Sequence, residues 1–346
     1  MTSPARPEIV GVITSADIEQ TAATIVELQQ PSGMIPWFRG GHCDPWNHVE
    51  TAMALAVAGR RTEAERAYQW LADMQRPDGS WHAYYIDDRV EDHKLDTNVT
   101  AYIATGVWHH HLLTGDNGFL ETMWPVVARA VDFVLELQTP RGEIIWARHV
   151  DGKPWSYALL TGSSSICHSL RCALAIAGSL GRELPDWELS LLSLASVIRE
   201  DPQAFAPKHR WAMDWYYPVL GGALTGDAAV LRLAERWDEF VIDGSGVRCV
   251  SNQPWVTAAE TCECALAHLA VGDAATALEL FGWAQAHRTD EGDYLTGLVH
   301  PDGVSFPDGE RTAYTAAAVI LTADALSSTT TASGLFLGDG LMPVGE

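Results

Sequence analysis

Thr51-Ala-Met-Ala-Leu-Ala-Val-Ala-Gly59 and Thr315-Ala-Ala-Ala-Val-Ile-Leu-Thr-Ala323 carry no charged side chain between them. Both runs are rich in helix-forming residues, and a helix that is apolar on every side has to be buried on every side. The helical segments between such runs have another character. One places Glu63, Glu65 and Arg66 on a face, and another places Arg232, Glu235, Arg236, Asp238 and Glu239. Amphipathic and all-apolar helices alternate along the chain, over residues 15–30, 45–59, 61–75, 97–115, 117–138, 164–178, 186–200, 215–226, 227–242, 258–272, 273–287 and 313–327. Six buried helices alternating with six half-buried ones describe an inner ring inside an outer ring. The expected fold is all-α, an (α/α)6 toroid.

Punctuation repeats with the helices. Gln-x-Pro-x-Gly closes a helical run at 29–33, 75–79 and 138–142, and Gly-Asp closes others at 115–116, 226–227 and 272–273. A recurring unit is the signature of a repeat architecture. Turns from an inner to an outer helix are short, whereas outer-to-inner loops are long and aromatic. Long loops inside a compact domain are usually functional, so the inner-helix N-termini should surround a mouth. Residues 1–327 form the expected catalytic barrel and 328–346 a tail, with 328–333 reading as a flexible connector and 336–346 able to dock.

The chain has 346 residues and a net charge of −23. This acidity argues against nucleic acid and anionic membranes as partners, since both select a basic face. No run of roughly 18 apolar residues is present to span a bilayer, and the start lacks the pattern of a secretory signal. A cytoplasmic protein is expected, with its six cysteines as reduced thiols; self-association is left open. Cys262-Glu-Cys264 lacks zinc-ribbon spacing, and His109-His110-His111 on a helix point about 100° apart. No metal or cofactor is expected. Phosphate-cradling and Gly-x-Ser-x-Gly motifs are lacking too.

Eight of the fourteen tryptophans fall in the long loops or the first turn of an inner helix: Trp37, Trp46, Trp81, Trp146, Trp155, Trp211, Trp215 and Trp255. Tyr84 and several other tyrosines join them. Aromatic faces stack on sugar C–H faces and indole N–H groups bond hydroxyls; wedging loops together is the structural alternative. Carboxylates open the same helices: Asp44, Asp96, Asp214, and Glu260 with Glu263. Each can serve simply as a helix cap, and Thr257-x-x-Glu260 fits a capping box. Gathered at one mouth, they also offer the two opposed carboxyls that glycoside hydrolysis needs. Asp44 and Glu260 start the first and fifth inner helices. Arg39, His42, Asn47, His48, Asp88, Asn98 and His168 are candidate hydroxyl ligands.

Gln75-Arg-Pro-Asp-Gly-Ser-Trp81 resembles the QxxxGxW repeat of the prenyltransferase and squalene-cyclase-like toroids, whose fold class also houses six-hairpin glycosidases. The cyclase acid motif and the prenyltransferase Asp-x-Cys zinc pair are missing. Over its whole length, and in Gly40-Gly-His-Cys-Asp-Pro-Trp-Asn-His-Val-Glu50 and Trp255-Val-Thr-Ala-Ala-Glu260, the chain resembles the methylmannose polysaccharide hydrolases of mycobacteria and related actinobacteria. That resemblance implies a hydrolase of α-1,4-linked mannosides acting on an oligosaccharide or polysaccharide, with a paired Asp and Glu at the mouth. Those roles fall to Asp44 and Glu260, with Glu263, Asp214 and Asp96 as alternates. The expected reaction is inverting, with Glu260 the acid and Asp44 the base. Asp96 and Asp214 would orient the sugar, and Trp37, Trp46, Trp81 and Trp215 would form subsites. A terpenoid cyclase or prenyltransferase-like enzyme and a non-catalytic sugar-binding toroid are the alternatives.

Overall fold

The computed structural model describes residues 5–344; 1–4 and the last two residues of the expected tail, 345–346, lie outside the described residues. Helices Pro45–Val57, Thr97–Ala101 continued by Ile103–Thr114, Leu160–Ser179, Met213–Leu220, Ala258–Ala270 and Ala313–Ser327 form the inner ring. Each packs on the next, and the last packs on the first, so the ring closes. Outside it run Ser15–Leu28, Arg61–Met74, Asn117–Leu135, Pro185–Glu200, Gly226–Glu235 and Ala274–Ala284. The expected toroid is the observed one.

Burial follows the charge pattern that separated the two helix types. Every residue of Ala313–Ser327 from Thr315 to Ala325 is buried. Arg61–Met74 buries only one stripe, Ala64, Ala67, Tyr68, Trp70 and Leu71. The helices begin where the caps place them. Asp44 is the N-cap of Pro45–Val57, its side chain accepting from Asn47 N, and proline occupies the first turn, where its missing N–H is not needed.

The Gln-x-Pro-x-Gly repeat is a staple between consecutive outer helices. Gln29, Gln75 and Gln138 each donate from Nε2 to the carbonyl of their own motif glycine, at 2.9–3.1 Å. The same nitrogen also reaches a carbonyl on the next outer helix, of Glu63, Val126 and Ser190 respectively, at 2.8–2.9 Å. Gly79 must be glycine: its φ is +88°, and a Cβ there would sit 2.1 Å from the Arg129 carbonyl oxygen.

The long loops are more ordered than an all-helical reading supposes. Tyr84–Ile86 and Arg89–Asp92 form a hairpin turned by Asp87 and Asp88, both at positive φ. Trp255–Thr257, Leu295–Val299 and Val304–Arg311 make a three-stranded antiparallel sheet at the mouth. Residues after Ser327 are not a free connector. Thr330 donates through N and Oγ1 to Asp324, at 2.9 and 2.6 Å, and Thr331 Oγ1 donates to the Leu112 carbonyl at 2.6 Å. Beyond the short turn Leu335–Leu337, Arg171 Nε donates to Met342 O and Arg199 Nη1 to Val344 O. Leu335, Leu341 and Val344 are buried.

Candidate active site

All inner helices start at the mouth, and each residue advances about 1.5 Å along the axis. Counting from each helix start therefore sorts the lining of the central cavity, about 740 Å³, into layers. The rim holds Asp44 and Asp96, which are N-caps, Asp214 in the first turn of the fourth inner helix and Glu260 in the first turn of the fifth. Five residues into their helices lie Glu50, Ser165, Glu263 and Ala318. Seven or eight residues in, about 10–12 Å below the helix starts, lie His168, Leu220, Leu266 and Leu321. Phe336, from the docked tail, lines the cavity with them.

The rim carboxylates live in different surroundings. Asp44 is 4% exposed and accepts three N–H bonds: Trp37 Nε1 at 2.7 Å, Asn47 Nδ2 at 2.7 Å and Asn47 N at 3.0 Å. Burial pushes its carboxyl up and these donors pull it back. Burial also drives Glu260 upward. The expected capping box does not form, Thr257 supplying no side-chain cap, and the Glu260 side chain lines the cavity instead. Burial lifts Asp96 to about 6, against the nearby Lys94 ammonium and the amides of Val99 and Asn98. Asp214 is raised by burial and restrained by Thr161, whose N and Oγ1 both donate to it.

The sixth inner helix lies between the first and the fifth, and Tyr314 near its start connects their acids. The Trp37 indole that donates to Asp44 meets the Tyr314 ring edge-on, centroids 5.0 Å apart. After burial itself, the Glu260 charge is what raises the Tyr314 phenol most. Asp44 and Glu260 thus flank one aromatic wall of one cavity.

Beneath them sits a second carboxyl pair. Glu50 Oε1 accepts from Trp46 Nε1 at 2.8 Å and from Tyr102 OH at 3.0 Å. Glu263 accepts from the hydroxyls of Tyr216 and Tyr217. Burial pushes Glu50 to about 7 and Glu263 well above the ordinary range, the Glu50 charge adding to the latter. Both Glu263 oxygens are thus engaged by phenols.

Trp37, Trp46, Asn47, Tyr84, Asp96, Asn98 and Asp214 all line the cavity, as do Trp146, His168 and Trp211. Others of the expected ligands do not. Trp81 is fully buried and donates from Nε1 to the Leu71 carbonyl. Trp215 is equally buried, donates to the Arg232 carbonyl and stacks on Phe240. Trp255 stacks on Phe306 at 4.1 Å, and it is Phe306 that faces the cavity. His48 Nδ1 accepts from Ile35 N and Nε2 donates to the Ala67 carbonyl, and burial holds the ring neutral with its pKa near 4. Asp88 turns the hairpin and accepts from Ser32 and Trp70. Arg39 is exposed, and His42 packs behind Trp37 and Tyr84. None of these expected ligands lines the cavity.

Sequence reasoning missed Glu50, Lys94, Lys208, Tyr102, Ser165 and Phe336, all of which line the cavity. For Glu50 a signal existed. It is the lone charge in Pro45–Val57 and stands four residues after Trp46, on the same face. No candidate metal cluster of three or more His, Cys, Asp or Glu occurs among the described residues, and their six cysteines are free and buried. No helix is long and apolar enough to cross a membrane among the described residues.

No protein-family model matches the chain. It is 54% identical over 332 residues to the MMP endo-(1,4)-3-O-methyl-α-D-mannosidase of Mycolicibacterium hassiacum, covering 96% of this chain and 92% of the relative. Among solved structures, a glycosidase in complex with glucose superposes with a TM-score of 0.70 at 16% identity, covering 91% of this chain and 98% of that one. A mannosylglycerate hydrolase from Thermus thermophilus superposes with a TM-score of 0.68 at 13% identity, covering 88% and 100%. At those identities the structural likeness shows the fold alone.

Proposed function

The chain belongs to the family of the MMP endo-(1,4)-3-O-methyl-α-D-mannosidase, and from that premise we propose that it is a glycoside hydrolase cleaving α-1,4-linked mannosides of the methylmannose polysaccharide type, with inversion. The cyclase and sugar-binding alternatives give way to that membership. The observation that carries the chemistry is the pairing of Asp44 and Glu260 across the Trp37–Tyr314 wall, both raised by burial, with three N–H donors working against that rise at Asp44. Carboxyls whose surroundings push their proton affinities apart divide acid and base roles between them.

Glu260, raised by burial, keeps its proton and passes it to the glycosidic oxygen as the C1–O bond breaks. Asp44, whose three N–H donors favour the ionised form against the upward push of burial, takes a proton from the water whose oxygen attacks C1 from the opposite face. Inversion requires the two carboxyls roughly 6.5–9.5 Å apart, so that the water fits between base and sugar. After one turnover Asp44 is protonated and Glu260 ionised, and exchange with solvent resets both. Asp96 and Asp214 orient sugar hydroxyls at the rim, while Trp37, Trp46, Tyr84 and Trp146 offer stacking faces. Residues 1–327 with the docked tail act as one catalytic unit, and six unpaired thiols suit a reducing, cytoplasmic setting.

The test is digestion of α-1,4-mannooligosaccharides by the wild type, Asp44→Asn and Glu260→Gln, with the first-formed anomer read by NMR. Loss of turnover in both variants with folding retained, and an inverted product from the wild type, are expected. Full activity in both variants would refute the pair, and a retained anomer would refute inversion.

A further inference from the structure

The lowest layer of the cavity differs chemically from the rim. Leu220, Leu266, Leu321 and Phe336 line it, carbon surfaces one turn below Glu263. Two polar side chains stand beside them on one face of the third inner helix, His168 in this layer and Ser165 one turn above it, level with Glu50 and Glu263. Ser165 is 2% exposed and its Oγ has no partner; His168 is 3% exposed and neither Nδ1 nor Nε2 has one. Positions three apart on a helix are neighbours, and both residues line the cavity. Buried polar atoms are almost always satisfied, and here nothing in the fold satisfies them. Burial lowers the His168 pKa to about 3, so the ring is neutral, with one nitrogen donating and the other accepting. One face of the ring stacks on Phe336, at 5.3 Å and 19°. Phe336 is itself held in place, since Arg171 and Arg199 grip the tail beyond it.

We propose that this floor is a sugar-binding subsite that reads the methyl ether of the substrate, with Phe336 and the leucines receiving the methyl group and Ser165 and His168 bonding the ring oxygens beside it. The inference rests on the mannosidase reading and names the residues that set its preference. A methyl ether suits the site because it is neutral, accepts hydrogen bonds through oxygen and buries carbon. A bare hydroxyl there would lose one bonding partner among the leucines.

The experiment compares paired α-1,4-mannooligosaccharides of equal length, one 3-O-methylated and one not, on the wild type, Phe336→Ala, Ser165→Ala, His168→Leu and His168→Gln. Preference is read as the ratio of kcat/KM values, and as calorimetric affinity in a Glu260→Gln background where turnover is slowed. One methyl in an apolar pocket is worth about tenfold or more in discrimination. The wild type should show such a preference, Phe336→Ala should abolish it, and His168→Leu and Ser165→Ala should raise KM more than they lower kcat. His168→Gln, which keeps a donor and an acceptor, should recover part of the loss. Hydrolysis with a preference that survives all of these substitutions overturns the floor subsite and leaves the hydrolase reading standing. Absence of hydrolysis overturns that reading, and the Glu260→Gln titration then decides the floor alone: equal affinity for the two chains, or no binding of either, overturns it. Should Phe336→Ala fail to fold, Ser165→Ala and His168→Gln carry the same test.

Discussion

Replacing Trp37 with phenylalanine keeps an aromatic ring beside Tyr314, His42 and Tyr84 but deletes the N–H that Asp44 accepts at 2.7 Å. A hydrogen bond to a charged group contributes about 1.5–3 kcal/mol. Each 1.36 kcal/mol of preference for one protonation state moves a pKa by one. The donor stabilises the ionised carboxylate, so its loss makes Asp44 hold its proton to higher pH. Asp44 must be ionised to activate water, and the acid limb of the kcat/KM profile should therefore move up by about one to two pH units. The basic limb, which reports the acid, should stay in place, because Glu260 is not bonded to Trp37. Asn47→Ala removes the second side-chain donor at 2.7 Å and should move the same limb in the same direction. The assay is initial rate against pH on an α-1,4-mannooligosaccharide, below KM. An acid limb unmoved in both variants refutes Asp44 as the base, and movement of the basic limb alone would mean that the roles are reversed.

Glu260→Gln should lower kcat by about a hundredfold to ten-thousandfold, more than Glu263→Gln does, and substrates with a better leaving group should recover part of it; a larger single-turnover loss in Glu263→Gln would favour Glu263 as the acid. Glu50 keeps its proton to about pH 7 in the fold, above its ordinary value of 4.5. The stability it contributes is therefore complete below that ordinary value and fades as pH rises through about 7. Glu50→Gln should flatten the fall in denaturation midpoint between about pH 5 and pH 8, and curves parallel to the wild type would contradict this. Trp81→Ala should destabilise by about 3–5 kcal/mol in urea denaturation, because Trp81 is a buried brace bonded to Leu71. KM of the folded fraction should be unchanged, and a raised KM would return Trp81 to the sugar site.

The toroid was legible because charge distribution along a helix reports how many sides it buries. Pro45–Val57 and Ala313–Ser327 announce themselves by what they lack. The rim was legible for a related reason: a helix N-terminus selects an acceptor, so Asp44 and Asp96 mark where each rod begins. Indole direction was not legible. Trp37 and Trp81 both sit in outer-to-inner loops, yet one donates to Asp44 and the other to a backbone carbonyl. A loop's letters do not encode which way its side chains turn. Ser165 was hidden because a polar residue on a buried helix reads alike whether it satisfies a neighbour or awaits a ligand. Phe336 was hidden because its position depends on where the tail is caught, by Arg171 and Arg199 from helices more than a hundred residues away.

Closure of the inner ring has a consequence for how the molecule comes apart. In an open stack of hairpins the terminal units have one neighbour each and fray independently. Here the first rod, Pro45–Val57, lies against the last, Ala313–Ser327, so no unit is terminal. Excising any hairpin would strip two neighbours of their partners at once and expose the apolar flanks of both. Denaturation should accordingly be a single cooperative event, and neither half of the polypeptide should persist as a shortened remnant after a cut in the middle.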